Sequence, residues 1–236
     1  ADIEKICVKQ KGKQRPIDSN YFTFDRFEIL DNPEINVIVE LIDDADEAYK
    51  IVKYALEKGK NVVTANKKMV ATHLKELVEL QNKHNVSLLY EASSCGSIPI
   101  VRTLEEYYDN ELLFSVSGIF NGTSNYILTK TIFENLSYDL ALKQAQDLGF
   151  AESDPSLDVY GYDPLNKLFI LLSHAYGFIP DQKKIVFKGI RNITSNDIKF
   201  AGENNFSIKL VATAEKNDDG KIITFLLPQF IPLIDQ

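Results

Sequence analysis

Cysteine is nearly absent: Cys7 and Cys95 are the only two in 236 residues. That is too few for a disulfide framework or a cysteine-ligated metal site. No stretch comes near about 18 unbroken apolar residues, so no membrane-spanning helix is expected. The opening Ala1-Asp2-Ile3-Glu4-Lys5 lacks the charged-then-apolar pattern of a secretion signal. Positive charge is in deficit, with 26 Lys and Arg against 34 Asp and Glu, a formal net charge of −8. An acidic surface argues against nucleic acid or an anionic membrane as partner. Glycine is scarce early in the chain. Gly12 is the only glycine before Gly59, so the strand, G-x-G-x-x-G turn and helix that open a dinucleotide-binding domain have no counterpart. Repeats and low-complexity segments are also absent. The expectation is a globular, cytoplasmic chain of one large or two modest domains.

What is present alternates strand and helix. Lys5-Ile6-Cys7-Val8 is a short apolar run followed by a basic loop. Residues 35–42 are nearly continuous and rich in β-branched side chains, which predicts a strand buried on both faces. Asp43 and Asp44 offer an N-cap to a helix striped by Ala48, Ile51, Val52, Ala55 and Leu56, and Gly59 closes it. Residues 61–65 and 86–90 read as further strands around a helix striped by Met69, Val70, Leu74, Leu77 and Val78. Strands separated by helices of ten or more residues imply βαβ units and a parallel sheet. After about residue 92 the rhythm changes. A strand is predicted over 112–120, helices near 99, 124–134, 138–148 and 164–176, and strands over 207–214 and 221–227 around the turn Asn217-Asp218-Asp219-Gly220. The predicted fold is α/β: a partial Rossmann-like nucleotide-binding domain over 1–91, then an α+β domain with a mixed sheet over 92–236, which the resemblance given below makes the substrate and dimerisation domain.

The densest chemistry lies in 149–167, where Glu152, Asp154, Asp158, Asp163 and Lys167 fall between two helices. Asp163-Pro164 reads as an N-cap followed by proline at the first helical position. Lys167 then sits in the first helical turns, where the macrodipole disfavours a cation. Spacing alone leaves two readings open: an ordinary ion pair with Asp163 four residues away, or a lysine that transfers protons. Lys67 follows Ala65-Asn66 at the carboxyl end of a predicted parallel strand, where open α/β sheets bind ligands. With Lys68 beside it, a solvated lysine is the other reading. Cys95 reads as a small buried residue rather than a nucleophile.

The run Leu148-Gly149-Phe150-Ala151-Glu152, through Asp158-Val159-Tyr160-Gly161-Tyr162-Asp163 to Lys167, closely resembles the signature of homoserine dehydrogenases. Val63-Thr64-Ala65-Asn66-Lys67 resembles the family's strand-end lysine motif, residues 90–100 its metal-site loop, and Gly118-Ile119-Phe120-Asn121-Gly122-Thr123 onward its substrate-side loop. The resemblance implies NAD(P)-dependent interconversion of L-homoserine and L-aspartate 4-semialdehyde, on the route to threonine and methionine, by a homodimer. It assigns proton transfer to Lys167, with Asp163, and a second ammonium at the reacting carbonyl to Lys67. There the charge growing on oxygen needs a cation and a proton. It places Glu152 and Asp158 with the substrate's ammonium, Gly122 and Thr123 beside the substrate, and Asn66, Lys67 and Gly149 near the cofactor. Glu91 and the backbone carbonyls of Ser94, Gly96 and Ile98 would form a monovalent-cation site, sodium for example.

The chain departs from the family where Asp43-Asp44 replace two glycines, where the glycine-rich turn is missing, and where family members continue past Gln236. It is therefore read as an internal fragment or an incompletely represented chain, expected to show a break between the strands at 5–8 and 37–41 or another segment filling it, to bind dinucleotide weakly and to be inactive alone. Lys9, Lys11, Lys13 and Arg15 follow Val8 with no acid before Asp18, which favours NADP over NAD. Two other readings remain: a catalytically silent regulatory or dimerising module, and a dehydrogenase for another amino-acid aldehyde.

Overall fold

The computed structural model describes residues 2–108 and 112–233. The chain forms two compact units, Ala1–Gly96 and Ser97–Gln236.

The first unit runs β1 (Ile6–Cys7), β2 (Phe22–Thr23), α1 (Phe27–Leu30), β3 (Val37–Glu40), α2 (Ala45–Glu57), β4 (Asn61–Thr64), α3 (Lys67–His84), β5 (Leu88–Leu89) and α4 (Ala92–Cys95). Asp44 caps α2 by accepting from the amides of Asp46 and Glu47, and Gly59, at φ +75°, follows its end. β3, β4 and β5 pair in parallel, Ile38 opposite Val62 and Val62 opposite Leu88. α2 and α3 cover one face of this sheet, burying Ile38, Val62 and Leu88 against Val52, Leu56, Met69, Leu74 and Leu77. The other face is open: Val37 and Val39 are 50% and 60% exposed. The expectation of burial on both faces of β3 is therefore corrected. Its run of β-branched residues alternates buried and exposed because the described helices cover a single face. β1 pairs in parallel with β2 as a separate two-stranded sheet, and among the described residues no ladder joins either strand to β3. The expected break is present. Beside β2, Lys11 and Arg15 of the basic loop lie over the rings of Phe24 and Phe22 at 5.2 and 5.1 Å.

The second unit runs α5 (Ile100–Tyr107), β6 (Ser115–Gly118), α6 (Gly122–Phe133), α7 (Tyr138–Asp147), α8 (Ser156–Val159), α9 (Tyr162–Tyr176), β7 (Val186–Phe187), α10 (Ser195–Glu203), β8 (Phe206–Lys216) and β9 (Ile222–Pro232). Its sheet is mixed, in the order β6-β8-β9-β7: β6 and β9 run antiparallel to β8, and β7 parallel to β9. The 217–220 turn is as predicted, with Gly220 at φ +75°. Three boundaries differ from the sequence reading. The strand predicted over 112–120 pairs only at 115–118. β9 continues through Pro228 to Pro232, although proline usually ends a strand. Beyond Leu226 it has β8 on one side and no described strand on the other, so a missing N–H costs little there. α9 starts at Tyr162 with Gly161 as its cap, not Asp163, so Pro164 is the third helical residue, still within the turn whose amides have no intrahelical partner. No described helix is long and apolar enough to cross a membrane.

Two glycines set the path between α8 and α9. Gly161 has φ +89°, which favours glycine, and its missing side chain faces the backbone of Gly189. The Ile190 amide donates to the Val159 carbonyl at 2.9 Å. A Cβ on Gly189 would lie 2.1 Å from the Val159 oxygen and 2.4 Å from the Tyr160 carbonyl carbon. Backbone on both sides leaves nothing flexible to give way. Gly189→Ala should therefore cost about 1–3 kcal/mol or more, read as a lower urea midpoint at unchanged slope; an unchanged midpoint would show that the crossing is loose.

Candidate active site

The second unit draws residues from three segments into one cluster. The Lys167 ammonium lies 2.8 Å from Asp163 Oδ2 and donates to the Phe120 carbonyl at 2.9 Å. The Asn121 side-chain amide donates to Asp158 Oδ1 at 2.6 Å and to Asp163 Oδ2 at 2.9 Å. Its oxygen meanwhile accepts from the Ser124 amide at 2.7 Å and caps α6. Asn121 and Asp163 are buried, and the Lys167 side chain is 18% exposed. The ion pair between Asp163 and Lys167 is thus real, but it is no surface pair. The cluster holds two carboxylates against one ammonium, so its charge favours a cationic group nearby. An ammonium has three N–H donors, and the described contacts of Lys167 use two.

The other residues singled out from sequence are placed as follows. Thr123 is buried and donates to the Phe150 carbonyl at 2.7 Å, tying the start of α6 to the turn at Gly149, which has φ +76°. Gly122 opens α6, where the first amides have no intrahelical partner. Glu152 is exposed and stays outside the cluster's hydrogen bonds; its backbone carbonyl accepts from the Gln146 side chain. In the first unit, Asn66 caps α3 by accepting from the Met69 amide, and Lys67 is the first residue of that helix. Glu91 precedes α4; Gly96 ends it at φ +60°. Ser94 is buried and its hydroxyl lacks a hydrogen-bond partner. Ile98 belongs to the second unit, and its carbonyl accepts from the Ile100 amide at 2.8 Å. Among the described residues no three His, Cys, Asp or Glu gather to hold a metal.

Sequence reasoning missed two polar residues. Asn121 was visible as an asparagine before a helix, a cap signal, but nothing local shows that its amide bridges two aspartates about forty residues on. Glu40 was read as part of an apolar strand; it is 2% exposed and hydrogen-bonded to Thr64.

The first unit is a parallel sheet whose strand carboxyl ends are where open α/β sheets bind ligands, and the second is a mixed-sheet unit holding a lysine among carboxylates. Residues 1–91 match the family model "Homoserine dehydrogenase, NAD binding domain" and residues 99–233 the model "Homoserine dehydrogenase". The chain belongs to the homoserine dehydrogenase family. It is 37% identical over 232 residues to a homoserine dehydrogenase of Bacillus subtilis, covering 98% of this chain and 53% of that protein. A crystal structure of a homoserine dehydrogenase from Thiobacillus denitrificans superposes with a TM-score of 0.86 at 36% identity, over 91% of this chain and 49% of that one. A hyperthermophilic archaeal homoserine dehydrogenase in complex with NADPH gives a TM-score of 0.72 at 30% identity, over 89% of this chain and 60% of that one. The chain spans about half the length of the curated relatives it matches.

Asn121→Ala would remove the α6 cap and leave both aspartates without their shared donor. It should cost about 1–3 kcal/mol in chemical denaturation, within the range for a lost cap and an unsatisfied buried acceptor. A loss under about 0.5 kcal/mol would show that water replaces the amide easily.

Proposed function

We propose that this chain carries homoserine dehydrogenase chemistry, interconverting L-homoserine and L-aspartate 4-semialdehyde. The observation that carries the reading is the Lys167 ammonium, largely shielded from solvent and fixed by Asp163 and the Phe120 carbonyl, two of its three N–H groups being used among the described residues. In reduction the third N–H holds the aldehyde oxygen as negative charge grows on it, and passes the proton across; in oxidation the amine takes the proton back. Asp163 positions the lysine. Asp158, already oriented by Asn121, faces the substrate's ammonium, with Glu152 as a second, exposed carboxylate. The amides of Gly122 and Thr123 at the start of α6 suit the substrate's carboxylate. Thr123's hydroxyl is engaged with Phe150, so it anchors the loop beside Gly149.

A nicotinamide cofactor, when bound, exchanges the hydride. Asn66, Lys67 and Gly149 are the residues proposed to hold it, and Lys67 supplies the second ammonium. The parallel strand ends after β3, β4 and β5 fit this role. NADP is the form proposed, because the loop after β1 presents Lys9, Lys11, Lys13 and Arg15. The loop 91–96 is proposed to take a monovalent cation, sodium for example, through Glu91 and the carbonyls of Ser94 and Gly96. A hard cation accepts oxygen donors, and the orphaned Ser94 hydroxyl adds another. A homodimer through the mixed sheet is proposed from the exposed Val186, Ile223 and Phe230 on its strands.

In the full-length protein, Lys167→Ala and Lys67→Ala should each lower kcat about 10²–10³-fold with little change in KM for homoserine, the signature of an interaction made only in the transition state. Variants with near-parental kcat would overturn the assignment. The specificity kcat/KM should be higher with NADP than with NAD; the reverse order would assign the basic loop to solvent.

A further inference from the structure

The last rung shared by β3 and β4 is polar where the two rungs before it are apolar. Glu40 stands opposite Thr64 on the helix-covered face, two rungs beyond the buried strand residues Ile38 and Val62. Both are buried, 2% and 1% exposed. The Thr64 hydroxyl donates to Glu40 Oε2 at 2.5 Å, and the other carboxylate oxygen accepts from the Ile42 amide. Withdrawing a carboxylate from water is costly even when hydrogen-bonded.

The hydrogen bonds continue from that pair towards a lysine. The Thr64 oxygen accepts from the Asn66 amide at 3.0 Å. The Asn66 side chain donates to the Ile42 carbonyl at 2.9 Å and accepts from the Met69 amide at 3.0 Å. Asn66 is thereby fixed at its backbone and at both ends of its side chain. The next residue is Lys67, the first of an 18-residue helix. We infer that Glu40 and Thr64 are positioning residues for Lys67, a clamp that sets where the strand ends and α3 begins. This rests on the role given to Lys67 above. Misplacement by about 1 Å can cost about 10²-fold in rate, so fixing the residue before Lys67 bears on function as well as on stability.

The test is the double substitution Glu40→Leu with Thr64→Val in the full-length protein, beside Thr64→Ser alone. The double variant removes both polar side chains, and with them the acceptors of the Ile42 and Asn66 amides, so its melting temperature should fall by several degrees while the chain stays folded. Its kcat for homoserine oxidation should fall about 10–100-fold and its KM change less than about threefold. Thr64→Ser keeps the hydroxyl and should keep kcat within about threefold. A folded double variant with kcat within twofold of the parent overturns the clamp, as does Thr64→Ser losing as much as the double variant. Amide exchange at residues 66–70 reads the same relay without turnover: faster in the double variant, parental in Thr64→Ser. A parent that does not oxidise homoserine would refute the functional reading, and exchange unchanged in the double variant would refute the clamp.

Discussion

A charge withdrawn from water has to be met at contact distance, and both units are arranged around that demand. Where Asp163 and Lys167 lie within α9, one amide from Asn121 reaches both aspartates. Without that donor, two acids would share one ammonium, and the repulsion between them would work against burying Asp163. The crossing of Gly161 and Gly189 serves the same end, because it fixes the short path between Asp158 on α8 and Asp163 on α9.

The two lysines proposed to act on the substrate stand near helix N-termini, where aligned peptide dipoles oppose a cation. The compensation differs between them. Lys167 lies in the second turn of α9, far enough along for a direct pair with Asp163 four residues earlier. Lys67 is the first residue of α3. Before it, the last rung of β3 and β4 holds a buried carboxylate, tied through Thr64 to the residue preceding the lysine. An acid on the same helix fixes a side chain; an acid beneath the strand end fixes where the helix begins.

The parallel sheet, its two covering helices and their caps were legible from sequence because each leaves a local signature. Asp44 and Gly59 bound α2, and the apolar stripes of α2 and α3 have helical spacing. The break after β1 was legible too, from glycines that are not there. The one-faced burial of β3 was not, since a run of Val and Ile reads the same whether one face is covered or two. α10 had a signal that went unread: Thr194 and Asp197 form a capping box. The cluster's members Asp158, Asp163 and Lys167 were marked by density of charge over 149–167, yet their common partner was not. Asn121 and Glu40 act through contacts about 24 to 42 residues away in sequence, and no local pattern encodes a contact of that range.

The choice of asparagine at two of the helix starts follows from the same economy of donors and acceptors. A cap needs an oxygen for the helix amides, which serine, threonine or aspartate would provide as well. Asn66 and Asn121 each give that oxygen to an amide of their own helix, Met69 and Ser124 respectively. Each then spends its NH2 group elsewhere, Asn66 on the Ile42 carbonyl and Asn121 on two carboxylates. Aspartate at position 121 would cap α6 but place a third negative charge against Asp158 and Asp163. Serine would cap it with a hydroxyl too short to span both acids. At position 66 either replacement would lose the strut to the strand before it. A side chain with an acceptor and a two-hydrogen donor on one planar group can start a helix and hold a neighbouring segment at once. After each of these two asparagines comes a residue proposed to meet substrate or cofactor, Lys67 and Gly122.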